Sequence, residues 1–112
     1  MFLFYSVAPS EPPGNVTVLS AHESAITVTW SPIRNESVNG MLLGYKVYHR
    51  SILGNGSYST ITVGPTALKT IISDNLRYTD IYEIKVAGFT RVGVGVMGQS
   101  YAIRPGKVKR LI

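Results

Sequence analysis

GVGVMG, residues 93–98, spells G-x-G-x-x-G, and its reading decides between two fold classes. In a dinucleotide-binding α/β fold such glycines let the backbone approach a pyrophosphate at a helix N-terminus. That role needs a strand before the motif, a helix after it and an acidic residue about 20 positions further on. A strand does precede it: in IYEIKVAGF (81–89), Tyr82, Ile84 and Val86 alternate with Glu83 and Lys85. After the motif comes QSYAIR (99–104), a second strand pattern, and only fourteen residues stand beyond Gly98. The stretch therefore reads as a tight hairpin between two strands, with glycines supplying positive φ angles. No nucleotide cofactor is expected.

The same period-two alternation runs upstream. NVTVLSA (15–21) sets Val16 and Val18 against Thr17 and Leu19, and AITVTW (25–30) puts Ile26, Val28 and Trp30 on one face. In LLGYKVYHR (42–50) Tyr45 and Val47 share a face. SYSTITV (57–63) comes after Gly54-Asn55-Gly56, a sequence suited to a tight hairpin turn, and ALKTIIS (67–73) is another short strand. With 81–89 and MGQSYAIR (97–104) the chain offers seven short strands, spaced by roughly 8–12 residues, and little helical periodicity. This predicts an all-β antiparallel sandwich or barrel. Pro9, Pro12 and Pro13 mark a lead-in, because proline cannot donate to a strand ladder, and Pro105-Gly106 marks the exit. The expected organisation is a flanking segment 1–8, one domain over 9–106 and a basic tail 107–112.

Composition narrows the function classes. A chain of 112 residues, 45% apolar, supports one domain with a modest core. It has no run of 18 apolar residues, so membrane insertion by this domain is not expected. The opening MFLFYSVA lacks a basic n-region and makes a poor signal peptide. Cysteine is absent; the titratable set is His22, His49, Glu11, Glu23, Glu36, Asp74, Asp80 and Glu83, with no triad or zinc spacing. No enzyme, metal or cofactor is expected. The net charge is +5, with Arg104, Lys107, Lys109 and Arg110 crowded near the end. Such an end suits an anionic surface, although a solvated tail is the simpler account and nucleic acid is not an expected partner.

Three sequons, Asn15-Val-Thr17, Asn35-Glu-Ser37 and Asn55-Gly-Ser57, read as N-glycosylation candidates at strand starts or in loops. They favour passage through the secretory pathway. If Tyr45 and Val47 point inward, Lys46, Tyr48 and Arg50 point outward, as do Glu83 and Lys85. Lys46, Tyr48, Arg50 and Lys85 then form a basic, partly aromatic candidate binding face.

Pro12-Pro13 stands before the first strand and Trp30-Ser31-Pro32 closes the second. Asn39-Gly40 precedes Gly44-Tyr45-Lys46-Val47, and Leu76 stands ahead of Tyr82, Ile84 and Val86; Thr90, Gly93, Gly95 and Ser100 come next. In this order, over roughly residues 9–105, the chain resembles a fibronectin type III domain. The resemblance implies an immunoglobulin-like, seven-stranded antiparallel β-sandwich with a core of Trp30, Tyr45, Val47, Leu76, Tyr82, Ile84 and Val86. It makes Tyr82 a corner tyrosine whose hydroxyl ties back to nearby backbone, and gives an F–G loop containing Arg91, Gly93 and Gly95. Three residues depart from the family pattern: His49 replaces an inward tyrosine, Ser73 an apolar strand residue, and Tyr78 a proline.

By the same resemblance the chain is expected to be a non-catalytic protein-interaction or spacer module of a multi-domain cell-surface adhesion or receptor protein. Its expected partners are adhesion molecules or matrix proteins, with neighbouring fibronectin type III or immunoglobulin domains in the same chain. No Arg-Gly-Asp occurs, so integrin binding is not implied. If the strands bearing Lys46, Arg50 and Lys85 pair as in the family, their like charges, offset only in part by Glu83, repel unless an anion joins them, which points to a heparin-like polyanion. Two alternatives remain at this stage. One is a structural repeat of an intracellular filament or scaffold protein. The other is a carbohydrate-binding accessory domain of a secreted enzyme, with Tyr48 or Phe89 stacking on sugars.

Overall fold

The alternating runs become strands in the computed structural model, which describes residues 7–22, 24–54, 56–73 and 76–106. In chain order these are β1 (Thr17–His22), β2 (Ala25–Thr29), β3 (Gly44–Ser51), β4 (Ser59–Val63), β5 (Lys69–Ile72), β6 (Tyr82–Thr90), β7 (Gly93–Val94) and β8 (Tyr101–Ile103). One sheet has the order β1-β2-β5; the other runs β4-β3-β6-β7, with β8 also on β6, and every pairing is antiparallel. β7 and β8 are two pieces of the last strand. The fold is an immunoglobulin-like β-sandwich.

Period-two burial packs the sheets. Ile26 and Val28 of β2, Tyr45 and Val47 of β3, Ile72 of β5, and Ile84 and Val86 of β6 are buried between them. Each of the aliphatic side chains among them contributes about 1.5–3 kcal/mol of hydrophobic stabilisation. Trp30, at the end of β2, is 4% exposed and its ring lies 5.4 Å from that of Tyr45, tilted by 56°. Leu76 is half-buried against this cluster. The buried Tyr82 accepts a hydrogen bond on its hydroxyl from the Arg77 N–H (2.9 Å), and the Tyr45 hydroxyl accepts one from the Ile33 N–H (3.3 Å). Strand β5 presents Ile72 inward, and Ser73 stands exposed just after it.

Four local expectations need correction. The first concerns GVGVMG. The hairpin reverses at the exposed Arg91 and Val92, because Thr90 pairs with Gly93, so the motif starts the returning strand. Of its glycines only Gly93 has a positive φ, 156°. Gly95 is needed for space: a Cβ there would come within 2.4 Å of the Pro9 carbonyl oxygen. Seven residues separate Val94 from Tyr101, but only five separate their partners Phe89 and Ile84, so this strand carries two extra residues against β6. Within that bulge the Gly95 N–H still donates to Gly88 (2.8 Å) and the Gly98 N–H to Val86 (3.0 Å).

The second concerns the β3–β4 connection, which is wide rather than tight, spanning residues 52–58. The Asp80 carboxylate draws it open by accepting from the Ser51 hydroxyl and the Leu53 N–H. Third, Asn35 does not lie in a loop or at a strand start. It opens a single helical turn, α1 (Asn35–Val38), capped by Asn39 in the left-handed conformation at φ 62°. Fourth, the prolines do not bound a free lead-in, because Val7 and Ala8 are already bonded into the fold. The Val7 N–H donates to Asn39 (2.9 Å), the Thr90 hydroxyl donates to Val7 (3.0 Å), the Asn39 amide donates to Ala8 (3.4 Å), and Pro9 is fully buried.

The chain thus comes in beside α1 and the β6–β7 hairpin. It leaves at the opposite pole, where the Gly106 N–H donates to the Ser20 hydroxyl (2.9 Å).

Candidate binding face

Strand register brings the predicted face together. β3 and β6 pair Lys46 with Ala87, Tyr48 with Lys85 and Arg50 with Glu83, while Tyr45, Val47, Ile84 and Val86 point to the core. Side chains two apart on a strand share a side, so these residues stand on the outward surface of the larger sheet. β4 extends it by setting Thr62 beside Lys46 and Thr60 beside Tyr48.

At the centre is Tyr58, which the sequence reading did not single out. Its exposed ring carries the Arg50 guanidinium at 5.0 Å and the Lys85 ammonium at 5.2 Å, and meets the Tyr48 ring edge-on at 6.2 Å. Cations over an aromatic face are attracted by its quadrupole. The Tyr58 hydroxyl donates to the Glu83 carboxylate, which also pairs with Arg50 at 2.7 Å. Hydrogen bonds from Tyr58, Arg50 and Ser100 favour the charged form of Glu83 and hold its pKa at about 2, despite partial burial. Across the face, Lys46 donates to the Thr62 hydroxyl (3.1 Å) and lies 4.8 Å over the Phe89 ring.

This geometry removes much of the expected repulsion. Arg50 is neutralised by Glu83, and Lys46 is held apart from the Tyr58 cluster by stacking on Phe89. Among the described residues Lys46 and Lys85 have no carboxylate partner, so they are the cations this face offers to an anion. Phe89 lies under the Lys46 ammonium, so its ring is not an open platform for a sugar.

The remaining candidates lie elsewhere. Arg91 is exposed at the hairpin tip, Gly93 begins β7 and Gly95 packs on Pro9. Asn15 and Asn35 are exposed. Asn55 and the tail residues Lys107, Lys109 and Arg110 lie outside the described residues. His49 is half-buried in β3. Among the described residues no three of His, Asp and Glu converge as metal ligands, and no helix is long and apolar enough to cross a membrane.

A family model described as the fibronectin type III domain matches residues 11–104. The chain is 34% identical over 88 residues to protein sidekick-1 of Gallus gallus, covering 79% of this chain and 4% of that protein. It is 33% identical over 96 residues to the cell adhesion molecule DSCAM of Gallus gallus, covering 86% of this chain and 5% of the relative. The chain therefore spans only 4–5% of the length of these curated relatives. Among solved structures, the third fibronectin III domain of human KIAA0343 protein superposes with a TM-score of 0.81 at 18% identity, covering 92% of this chain and 87% of that one, a likeness of fold.

Proposed function

Because this chain belongs to the fibronectin type III family, we propose that it is a non-catalytic binding and spacer module of a multi-domain cell-surface adhesion or receptor protein. Its kinship with cell adhesion molecules supports an adhesion-type module. The cation–aromatic cluster of Tyr48, Arg50, Tyr58 and Lys85 is the observation that carries the finer reading. Aromatic side chains and arginine are enriched where proteins meet, and here they stand pre-arranged on a rigid sheet. Entry and exit at opposite poles suit a unit strung between neighbouring domains of the same chain. The partner surface is anionic, an acidic protein patch or a heparin-like polyanion, met by Lys46 and Lys85. Binding is weak and falls with salt, since exposed charges are screened beyond about 8 Å at physiological ionic strength.

Cells displaying the full-length protein test this. Replacing residues 9–106 by an unrelated domain of similar length should preserve surface delivery yet reduce cell–cell adhesion. Tyr58→Ala with Lys85→Ala should reduce it equally. Undiminished adhesion in both would refute the binding role and leave only a spacer.

A further inference from the structure

Asn15 sits where the lead-in meets the end of β2. Its φ of 52° lies in the left-handed region, which asparagine tolerates better than most residues. The turn is held by the Ser31 N–H, which donates to the Gly14 carbonyl at 2.8 Å. The Asn15 side-chain amide in turn donates one Nδ2 proton to the Ser31 hydroxyl at 3.0 Å. One amide proton is thereby used and the other left over on an exposed residue. Beside it runs a groove of about 490 Å³, within the range of about 300–1,000 Å³ usual for small-ligand sites. Three proline rings, Pro12, Pro13 and Pro32, give it apolar walls, and Ser31 lines it with Glu11 and Arg34. These last two form a bidentate ion pair, with both bonds 2.8 Å long.

We propose that Asn15 carries an N-linked glycan whose first N-acetylglucosamine lies in this groove. In the transfer, Nδ2 bonds to the anomeric carbon of a lipid-pyrophosphate-linked oligosaccharide. The carbon–oxygen bond to the pyrophosphate breaks, the lipid pyrophosphate leaves, and one amide proton passes to the transferase base. Once the chain folds, the remaining N–H donates to the Ser31 hydroxyl, fixing the direction of the sugar. The C–H face and acetyl methyl of the sugar meet the proline rings, and its hydroxyls meet the Glu11–Arg34 pair. Thr17, the sequon hydroxyl, is already in β1 opposite Thr29, so transfer precedes the pairing of that strand. The second described sequon differs. Asn35 borders a groove of about 420 Å³, but its amide has no hydrogen bond to another described residue, and Ser37 is buried. A glycan there has no anchored direction.

The proposal rests on the extracellular reading, but its test does not depend on the native location. The chain is secreted from mammalian cells behind an added leader, and each sequon peptide is scored for occupancy by mass. Melting temperatures are then compared for the intact glycan, the glycan trimmed by endoglycosidase to one sugar, and the unglycosylated Thr17→Ala variant, which leaves the Asn15–Ser31 bond in place. We expect Asn15 to be occupied, the one-sugar form to melt with the intact form, and Thr17→Ala to melt about 2–4 °C lower. In a Ser31→Ala background Asn15 should stay occupied, but the sugar should no longer raise the melting temperature. An unmodified Asn15, or equal melting with and without the first sugar, overturns the proposal. Failure of the adhesion assay alone would leave it standing.

Discussion

The two outward faces of the sandwich obey the same alternation and carry different chemistry. On the β1-β2-β5 sheet, Leu19, Thr27 and Ile71 align in one row and Thr17, Thr29 and Lys69 in the next. Leu19 is 62% exposed and Ile71 53%. Among the described residues no ion pair or ring contact joins this face. On the β4-β3-β6 face, Arg50, Lys85 and Lys46 each lie over a ring, and Glu83 binds Arg50 and Tyr58. β-Branched side chains satisfy the pleat and stiffen a wall. Rings and charges held by mutual contacts present a surface with little ordering cost left for a partner to meet. A plain apolar wall and a charged, aromatic wall thus share one core.

Loss of that shared core should break both faces together. Trp30→Ala should cost about 3–5 kcal/mol, a large share of the roughly 5–15 kcal/mol that holds a small domain. Thermal unfolding measures it, and a shift of only a degree or two would show that Trp30 does not join the sheets.

Acid should loosen the charged wall before the apolar wall. The Arg34 hydrogen bond lowers the pKa of Glu11, the Ser51 bond that of Asp80, and the bonds from Tyr58 and Arg50 hold Glu83 at about 2. A depressed carboxylate stabilises the fold fully above its unfolded value, about 4.3 for glutamate. That stability is lost as pH falls through the folded value. The melting temperature should therefore drop between about pH 4.5 and 2, and Glu83→Gln should shrink the drop. An unchanged slope in Glu83→Gln would place the sensitivity at Glu11 and Asp80.

The smallest effect belongs to the apolar β1-β2-β5 wall. Leu19→Thr and Ile71→Thr should each change stability by no more than about 0.5 kcal/mol and leave adhesion untouched. A loss of adhesion would make this apolar row a second contact surface.

The inward residues were legible in the sequence because alternation alone decides which side of a strand faces the core; Tyr45, Val47, Ile84 and Val86 obey period two. What escaped depends on partners distant in the chain. Gly95 answers to Pro9, which no local turn rule could supply. The outward alternation of Tyr58 with Thr60 and Thr62 was visible, but its place beside Arg50 depends on register across a seven-residue connection that Asp80 props open. α1 is one turn long, too short to leave a helical period. Glu83 was already readable as offsetting part of the charge on the face, but only the register across β3 and β6 shows that it pairs with Arg50.

Chemical-shift mapping of the labelled domain with a heparin-derived oligosaccharide compares the two walls in one experiment. At low salt the account predicts perturbations at Lys46, Tyr48, Tyr58 and Lys85 that fade as ionic strength rises, with Leu19, Thr27 and Ile71 unmoved. Perturbations centred on the β1-β2-β5 row, or none at any salt concentration, would contradict it.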